Sequence, residues 1–392
     1  MPLVIYVLGL MIFSMTTSEF MVAGMMSSLS RDFGVSIAAV GYLISAYAAG
    51  MIIGGPLLTV GLYKVPRKKA FMVLAIVFFA GQTLGALAPN YEIMMVARVI
   101  TGIASSACFG VSIALALTLV SSESGGRAAS IVLGGLMVAT AIGLPVAMLC
   151  DQYFGWRASF WAVDVLVLLS AILAQWLIPS SPSAESVSIW EEFKDFNNRH
   201  LWAAYTTSML IIGAAFAAFS YFSPILTDVA GFGEQTVPLL LGIYGVATVI
   251  GNIITGRLAD RYMMPILTTG LIMLTSALII FGLLADHPVI VVMAVIVIGL
   301  AGVPMNPAMT TRVTRSSNAG SLVNTIHVSI INLGIVIGSS LGGFTIDQGF
   351  GLTSPLWVGV ILAVLGLISL LPYLLKIRET EVQTGSRKQT CA

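Results

Sequence analysis

Long apolar runs separated by short polar breaks fill this chain. A hydrocarbon layer about 30 Å thick takes roughly 20 residues of helix to cross. Twelve runs meet that length: residues 3–26, 38–60, 70–88, 91–119, 128–150, 158–178, 201–222, 237–256, 266–285, 289–311, 321–346 and 356–375. The breaks between them carry turn or charge signals, such as Ala88-Pro89-Asn90 and Asp286-His287-Pro288. The longest polar stretch, residues 179–200, falls between the sixth and seventh runs. It reads as a Ser/Pro-rich linker followed by a short amphipathic interfacial helix from Ile189 to Phe196. The predicted organisation is an all-α membrane protein of twelve transmembrane helices: a six-helix bundle over 1–178, a linker over 179–200, a second six-helix bundle over 201–375 and a tail over 376–392.

Cations set the orientation of such a chain. With both termini cytoplasmic, the inner side receives Lys64, Arg67, Lys68, Lys69, Arg127, Lys194, Arg199, Arg257, Arg261, Arg312, Arg315, Lys376, Arg378, Arg387 and Lys388, which is fifteen of the eighteen cations. The outer side receives Arg31 and Arg157, and Arg98 alone lies within a span. The reverse orientation breaks the rule at nearly every loop.

Composition agrees. Charged residues make up 9% of the chain and the mean hydropathy is +0.99, against about 25% charge in an average soluble protein, which excludes a soluble globular domain. A formal net charge of +1 gives no bulk attraction for nucleic acid. Cys108, Cys150 and Cys391 form no motif and read as small hydrophobes rather than redox or metal groups. The first run lacks a basic leader and a small-residue cleavage site, so it is expected to be a retained helix.

The two halves repeat at an offset of 196 residues. Asp151-Gln152-Tyr153-Phe154-Gly155 corresponds to Asp347-Gln348-Gly349-Phe350-Gly351, Trp161 to Trp357 and Asp32 to Asp228. Several matches at one offset, each at an equivalent place in its half, indicate duplication. A six-plus-six repeat places substrate at the interface between the halves, near the midplane.

Glu19 is the only charge in residues 3–26. A carboxyl group inside a span is expensive to desolvate and marks a functional site; a buried structural acid is the alternative. Glu19 lies about seven residues, or roughly 10 Å, inside the outer end of its span, and Arg98 lies at nearly the same depth in the fourth. Arg98 holds its proton whereas Glu19 can release one; Arg98 also reads as a hub satisfying helix carbonyls. Asp164, in the outer third of the sixth span, is a second protonatable group or an acid facing protein or interface water. His327, in the eleventh span, suits a proton relay or a packed histidine with Asn324 and Asn332 as partners. Asn306 sits between Pro304 and Pro307, where a kink would free backbone carbonyls and let it meet substrate or act as a local cap. Pro145 should kink or loosen the fifth span just after Gly143. Met25, Phe109, Phe216 and Met305 are candidates for an adaptable apolar pocket, though most residues of their types serve packing. The chain carries no phosphate-binding loop pattern, so direct ATP drive is not expected, and no metal-ligand spacing, so no cofactor is expected; with Glu19 able to gain and lose a proton, a proton is the expected coupling ion.

Four segments carry a family resemblance: Thr17-Ser18-Glu19-Phe20-Met21; Gly256-Arg257-Leu258-Ala259-Asp260-Arg261-Tyr262, whose first-half counterpart keeps only Arg67-Lys68-Lys69, with Tyr63 at the acid's place; Arg98-Val99-Ile100-Thr101-Gly102; and Gly143-Leu144-Pro145. With these the whole chain resembles the major facilitator superfamily. More narrowly it is similar to the twelve-helix drug:proton antiporters, in the branch of bacterial chloramphenicol-resistance, sugar-efflux and purine-efflux proteins. The resemblance implies two pseudo-symmetric bundles whose rocking exposes a central cavity alternately, with spans one and four meeting there. It implies proton coupling at Glu19, Arg98 and Asp164, and substrate contact at Glu19, Met25, Phe109, Phe216, Met305, Asn306 and His327. Conformational roles fall on Arg67, Gly143, Pro145, Gly256, Asp260 and Arg261. The expected protein is not an enzyme. It is a monomeric inner-membrane exporter of chloramphenicol-like amphipathic molecules in a lipid bilayer, with export of sugars or purines and uncoupled facilitation as alternatives.

Overall fold

The structure is a computed structural model that describes residues 1–62, 65–121, 124–179, 196–316 and 321–389. Lys64, Lys194, Tyr63, Cys391 and most of the expected linker helix lie outside the described residues, as do the side chains of the tail cations.

A chain in lipid must satisfy its backbone internally, and helices do so segment by segment. The first half contains α1 (Leu3–Gly24), α2 (Met26–Phe33), α3 (Ile37–Gly61), α4 (Arg67–Ala86), α5 (Tyr91–Thr118), α6 (Gly125–Val138), α7 (Leu144–Phe154) and α8 (Trp156–Leu177). The second half contains α9 (Arg199–Phe219), α10 (Phe222–Pro224), α11 (Val237–Leu283), α12 (Pro288–Ala301), α13 (Asn306–Arg315), α14 (Ser321–Asp347) and α15 (Ser354–Gln389). Eleven helices among the described residues are long and apolar enough to span a membrane. The 47-residue α11 holds two spans, because its backbone leaves helical geometry at Tyr262 (φ −122°, ψ 32°). Twelve spans result. The eighth and ninth, expected as separate helices, are joined across that kink.

Local chemistry explains the irregularities. The Asn90 side chain accepts from the Ile93 amide and caps α5. Ahead of Pro145, which lacks an N–H, the fifth span passes through a π-helical turn, Ala139–Gly143, so the expected loosening takes the form of one wide turn. In the tenth span Gly302 ends α12, and a 3-10 turn over Val303–Met305 leads through the two prolines into α13.

The sequence repeat is also a structural one. The break after α1 at Met25 (φ −107°, ψ 20°) matches that after α9 at Tyr221 (φ −115°, ψ 12°). Gly155 and Gly351, at the same offset, take φ of +82° and +85°, where only glycine is unstrained. Nearly every residue of α1, and of the final turns of α9, is buried, which is why these helices are apolar on all sides. The halves meet along two seams, α3 against α14 and α7 with its π-turn against α11. Large apolar residues such as Ile76, Val165, Leu239, Leu283 and Ile361 remain exposed on the outside of the bundle, a surface suited to lipid chains.

Candidate proton and substrate site

Glu19 lies on α1 with 8% of its surface accessible. Its carboxylate has no hydrogen bond or ion pair among the described residues. Arg98, 1% exposed, approaches from α5 but grips the α1 backbone instead of the carboxylate. Its Nη1 donates to the Ser18 carbonyl at 2.8 Å and to Ser18 Oγ at 3.3 Å, its Nη2 to the Glu19 carbonyl at 3.0 Å, and its Nε to the Leu43 carbonyl on α3 at 3.4 Å. The guanidinium lies over the Tyr47 ring, 4.3 Å from its centroid, and the Tyr47 hydroxyl donates to the Met15 carbonyl. Arg98 therefore ties α1, α3 and α5 together beside an acid that it does not bind. The two residues are brought together, and no ion pair joins them among the described residues.

Next to Glu19, Phe20 reaches across to the second half. Its ring centroid is 5.9 Å from that of Phe216 and 5.7 Å from that of Phe219. Phe219 stacks on Tyr244 at 5.1 Å, and Phe222 continues the contact to Phe281. The residue after Glu19 thus opens an aromatic ladder that begins in one half and ends in the other. Of the expected apolar pocket residues, Phe216 belongs to this ladder. Met25 lines a polar hollow at the α1–α2 break, with Ser28, Asp151, Gln152 and Glu234. Phe109 is half-buried against the core. Met305 turns toward Gly270 of the ninth span, and Asn306 is exposed at the start of α13.

Asp164 is buried between α4 and α8. One carboxylate oxygen accepts from Thr83 Oγ1 at 2.9 Å, and the other has no partner. His327 meets Ser208 Oγ at 2.9 Å and stacks on Tyr205 at 5.8 Å. Its partners are on a neighbouring helix, not the expected Asn324 and Asn332, because a histidine pointing across a helix contact cannot turn back along its own helix.

Most hydrogen bonds that join the halves gather toward the face opposite the chain termini, while Ser329 donates to the Ile52 carbonyl at 3.3 Å nearer the terminal face. Ser36 donates to Asp347 at 3.1 Å, Ser339 to the Gly41 carbonyl at 3.0 Å, Ser223 to the Gly24 carbonyl at 3.3 Å and Gln152 to the Glu234 carbonyl at 2.6 Å. On the terminal face the described cation contacts stay within one half. Arg67 donates to the Ala114 carbonyl, Lys68 to the Gln175 and Ile178 carbonyls, and Arg315 to the Asp260 carbonyl. The Asp260 carboxylate forms no ion pair among the described residues, and Arg261 lies against the Tyr262 ring. Arg312, expected among the loop cations, is buried in its half, donating to Thr207 Oγ1 and lying over Tyr373. Gly143 packs so closely on α1 that a Cβ would come within 2.2 Å of Thr17 Oγ1, and Pro145 faces Gly242 across the seam.

Two residues at the centre of this network fall outside the sequence-based set, Ser18 and Gln82. The available signal was a single amide, Gln82, in the otherwise apolar middle of the third span.

A duplicated twelve-span helical bundle with a nearly buried acid in its first span, next in sequence to the contact between its halves, has the organisation of a membrane transporter. The chain belongs to the Major Facilitator Superfamily, whose sequence pattern matches residues 8–328. It is 29% identical over 378 residues to a chloramphenicol resistance protein of Streptomyces lividans, covering 95% of this chain and 96% of that protein. It is 30% identical to the inner membrane transport protein YdhP of Escherichia coli K12, covering 91% and 92% of the two. Among solved structures, a bacterial homologue of the human lysosomal transporter Spinster, in an inward-facing and occupied conformation, superposes with a TM-score of 0.74 at 15% identity, covering 96% of each chain.

Proposed function

We propose that this transporter exports small amphipathic molecules of the chloramphenicol type across the bacterial inner membrane in exchange for protons, with both termini in the cytoplasm. The observation that carries the reading is the Glu19 carboxylate, nearly buried and without a hydrogen bond or ion pair among the described residues, on the helix that Arg98 grips and one residue before the Phe20–Phe216 contact between the halves. A carboxylate held so can be emptied and refilled as the surrounding helices move, whereas one locked to a guanidinium stays charged. The aromatic ladder beside it favours an apolar or amphipathic ligand with a planar group. The distribution of cations supports the orientation, and the similarity to a chloramphenicol resistance protein supports the substrate class. In this reading Arg98 supplies the counter-charge, and Asp164 is a second protonatable group away from the seam.

Everted membrane vesicles test the reading. Adding chloramphenicol to energised vesicles should dissipate the proton gradient, and Glu19→Gln should abolish the effect. Coupled exchange surviving in Glu19→Gln would remove Glu19 from the mechanism. Dissipation by sugars or nucleosides, with none by chloramphenicol, would replace the substrate class and leave the coupling intact. Transport that leaves the gradient untouched would make the protein an uncoupled facilitator.

A further inference from the structure

Ser18, Gln82 and Arg98 form one continuous hydrogen-bonded line through the first half. Ser18 Oγ donates to Gln82 Oε1 at 2.7 Å, and the same oxygen accepts from Arg98 Nη1 at 3.3 Å. Gln82 Nε2 donates to the Phe160 carbonyl on α8 at 3.3 Å. All three residues are fully or almost fully buried, on α1, α4 and α5 respectively. A buried amide without partners is strongly destabilising, and Gln82 is satisfied at both ends.

The line has a direction. Because the Ser18 proton goes to Gln82, the hydroxyl presents a lone pair to Arg98. That lone pair, with the Ser18 and Glu19 carbonyls, holds the guanidinium against the backbone of α1. The Glu19 carboxylate is the strongest acceptor nearby, since charge-assisted bonds are about twice as strong as neutral ones. Among the described residues the ionisable groups within electrostatic reach of Glu19 are Arg98 from α5 and Tyr47 from α3. On the second-half side the neighbouring residue Phe20 meets the rings of Phe216 and Phe219. Among the described residues Arg98 is the cation that acts on Glu19.

We propose that Gln82 and Ser18 are positioning residues whose hydrogen-bonded line keeps Arg98 on the α1 backbone and off the Glu19 carboxylate. This rests on the reading of Glu19 as the proton-exchanging group. Without Gln82, the Ser18 hydroxyl turns to its own helix, as Ser14 does toward the Leu10 carbonyl. The guanidinium then loses one of its holds on α1 and settles on the carboxylate. The resulting ion pair keeps Glu19 charged and silences exchange without any change in the pocket.

The test is carbodiimide labelling of Glu19 in the purified full-length protein, quantified by peptide mass spectrometry, because dicyclohexylcarbodiimide adds to the protonated acid. The parent protein should label near neutral pH. Gln82→Met, which keeps the side-chain length but removes the amide, should label several-fold less, with labelling restored in acid. Ser18→Ala breaks the same line at another point and should behave alike; Ser18→Thr, which keeps the hydroxyl, should label as the parent does. Thermal melts identify which variants are folded, and Ser18→Ala removes only one oxygen should Gln82→Met fail to fold. Parent-like labelling in a folded Gln82→Met or Ser18→Ala overturns the positioning role. A parent that labels at Glu19 at no pH overturns the proton-site reading, and this proposal with it.

Discussion

Phe20 and Phe216 occupy equivalent places in the two halves, 196 positions apart, and their rings meet at 5.9 Å across the contact between those halves. Duplication has placed one aromatic on each side of the pseudo-twofold axis. It has not duplicated the neighbouring acid: the residue equivalent to Glu19 is Ala215. The aromatic contact is symmetric, and the buried acid belongs to one half.

The aromatic pair should therefore behave as part of the seal. Aromatic contacts contribute about 0.5–1.5 kcal/mol beyond area burial, so a double-mutant cycle of Phe20→Ala and Phe216→Ala should give a coupling of about 1 kcal/mol. In a variant stripped of its native cysteines, Ala215→Cys should resist an impermeant maleimide applied from the face opposite the termini. The same cysteine should become reactive when both phenylalanines are alanine. Equal protection in both backgrounds would remove the pair from the seal.

Much of the fold was legible because a bilayer simplifies the problem. Twenty apolar residues force a helix, and the offset between Asp151 and Asp347 reports the duplication. Helical rise also gave the shared depth of Glu19 and Arg98. Depth says nothing of rotation about the helix axis, so the sequence could not show that Arg98 binds the Ser18 and Glu19 carbonyls in place of a carboxylate. The same limit hid the Ser208 partner of His327 and the turn of Met305 toward Gly270. One polar residue in a span does not name its partner, so the sequence does not show the bonds of Gln82 to Ser18 and the Phe160 carbonyl.

Arg98→Lys should be far from conservative. The guanidinium reaches acceptors on both α1 and α3 from one planar group, which a single ammonium cannot span. Hydrogen bonds to charged groups contribute about 1.5–3 kcal/mol each. Losing at least one and part of the Tyr47 contact should destabilise the protein by about 2–4 kcal/mol and abolish most exchange. Thermal unfolding and vesicle transport measure the two effects separately.

The two glycines that open and close family-like motifs should respond in opposite ways to alanine. A Cβ at Gly102 would sit 2.1 Å from the Tyr47 carbonyl oxygen, so α3 must move and carry the ring beneath Arg98 with it. Overpacking of this kind typically destabilises by about 1–3 kcal/mol. At Gly256 a Cβ would meet open space inside a helix, where alanine is favoured over glycine by up to about 1 kcal/mol. Melting temperatures of Gly102→Ala and Gly256→Ala should therefore fall and rise respectively. A matched response would mean that the α3–α5 contact relaxes freely.

Outside the membrane, the Asp32 clamp gives a prediction with a definite sign in pH. Arg157 Nη1 donates to Asp32 at 2.7 Å, and the Trp156 indole donates to the same oxygen at 3.0 Å. The hydrogen bond from Arg157, then that from Trp156, hold the carboxyl below its ordinary value. A group depressed in the folded state adds stability above its unfolded value, about 3.9 for Asp, and loses it as pH falls through the folded value. Both side chains are 44% exposed, so screening should keep the effect of Asp32→Asn at neutral pH below about 1 kcal/mol. The difference between parent and Asp32→Asn should shrink with added salt and vanish in strong acid, as read by thermal melts. A difference that persists in acid would assign the contribution to packing of Trp156.

Asp164 offers the contrasting case to Glu19. Both acids are buried, but Asp164 is fixed by Thr83 at the contact between α4 and α8, within one half, and its second oxygen is orphaned. An asparagine can still accept the Thr83 proton through its carbonyl oxygen, and it brings no charge to desolvate. Asp164→Asn should therefore melt no lower than the parent and keep proton-coupled export in everted vesicles at more than about half the parent rate. That rate difference corresponds to less than about 0.5 kcal/mol of barrier. Glu19→Gln, at the contact between the halves, should lose coupled export entirely. Loss of coupling in a stable Asp164→Asn would place a second obligatory proton site between α4 and α8. The line from Gln82 to Phe160, one helical turn before Asp164, would then be the structural link from that site to Glu19.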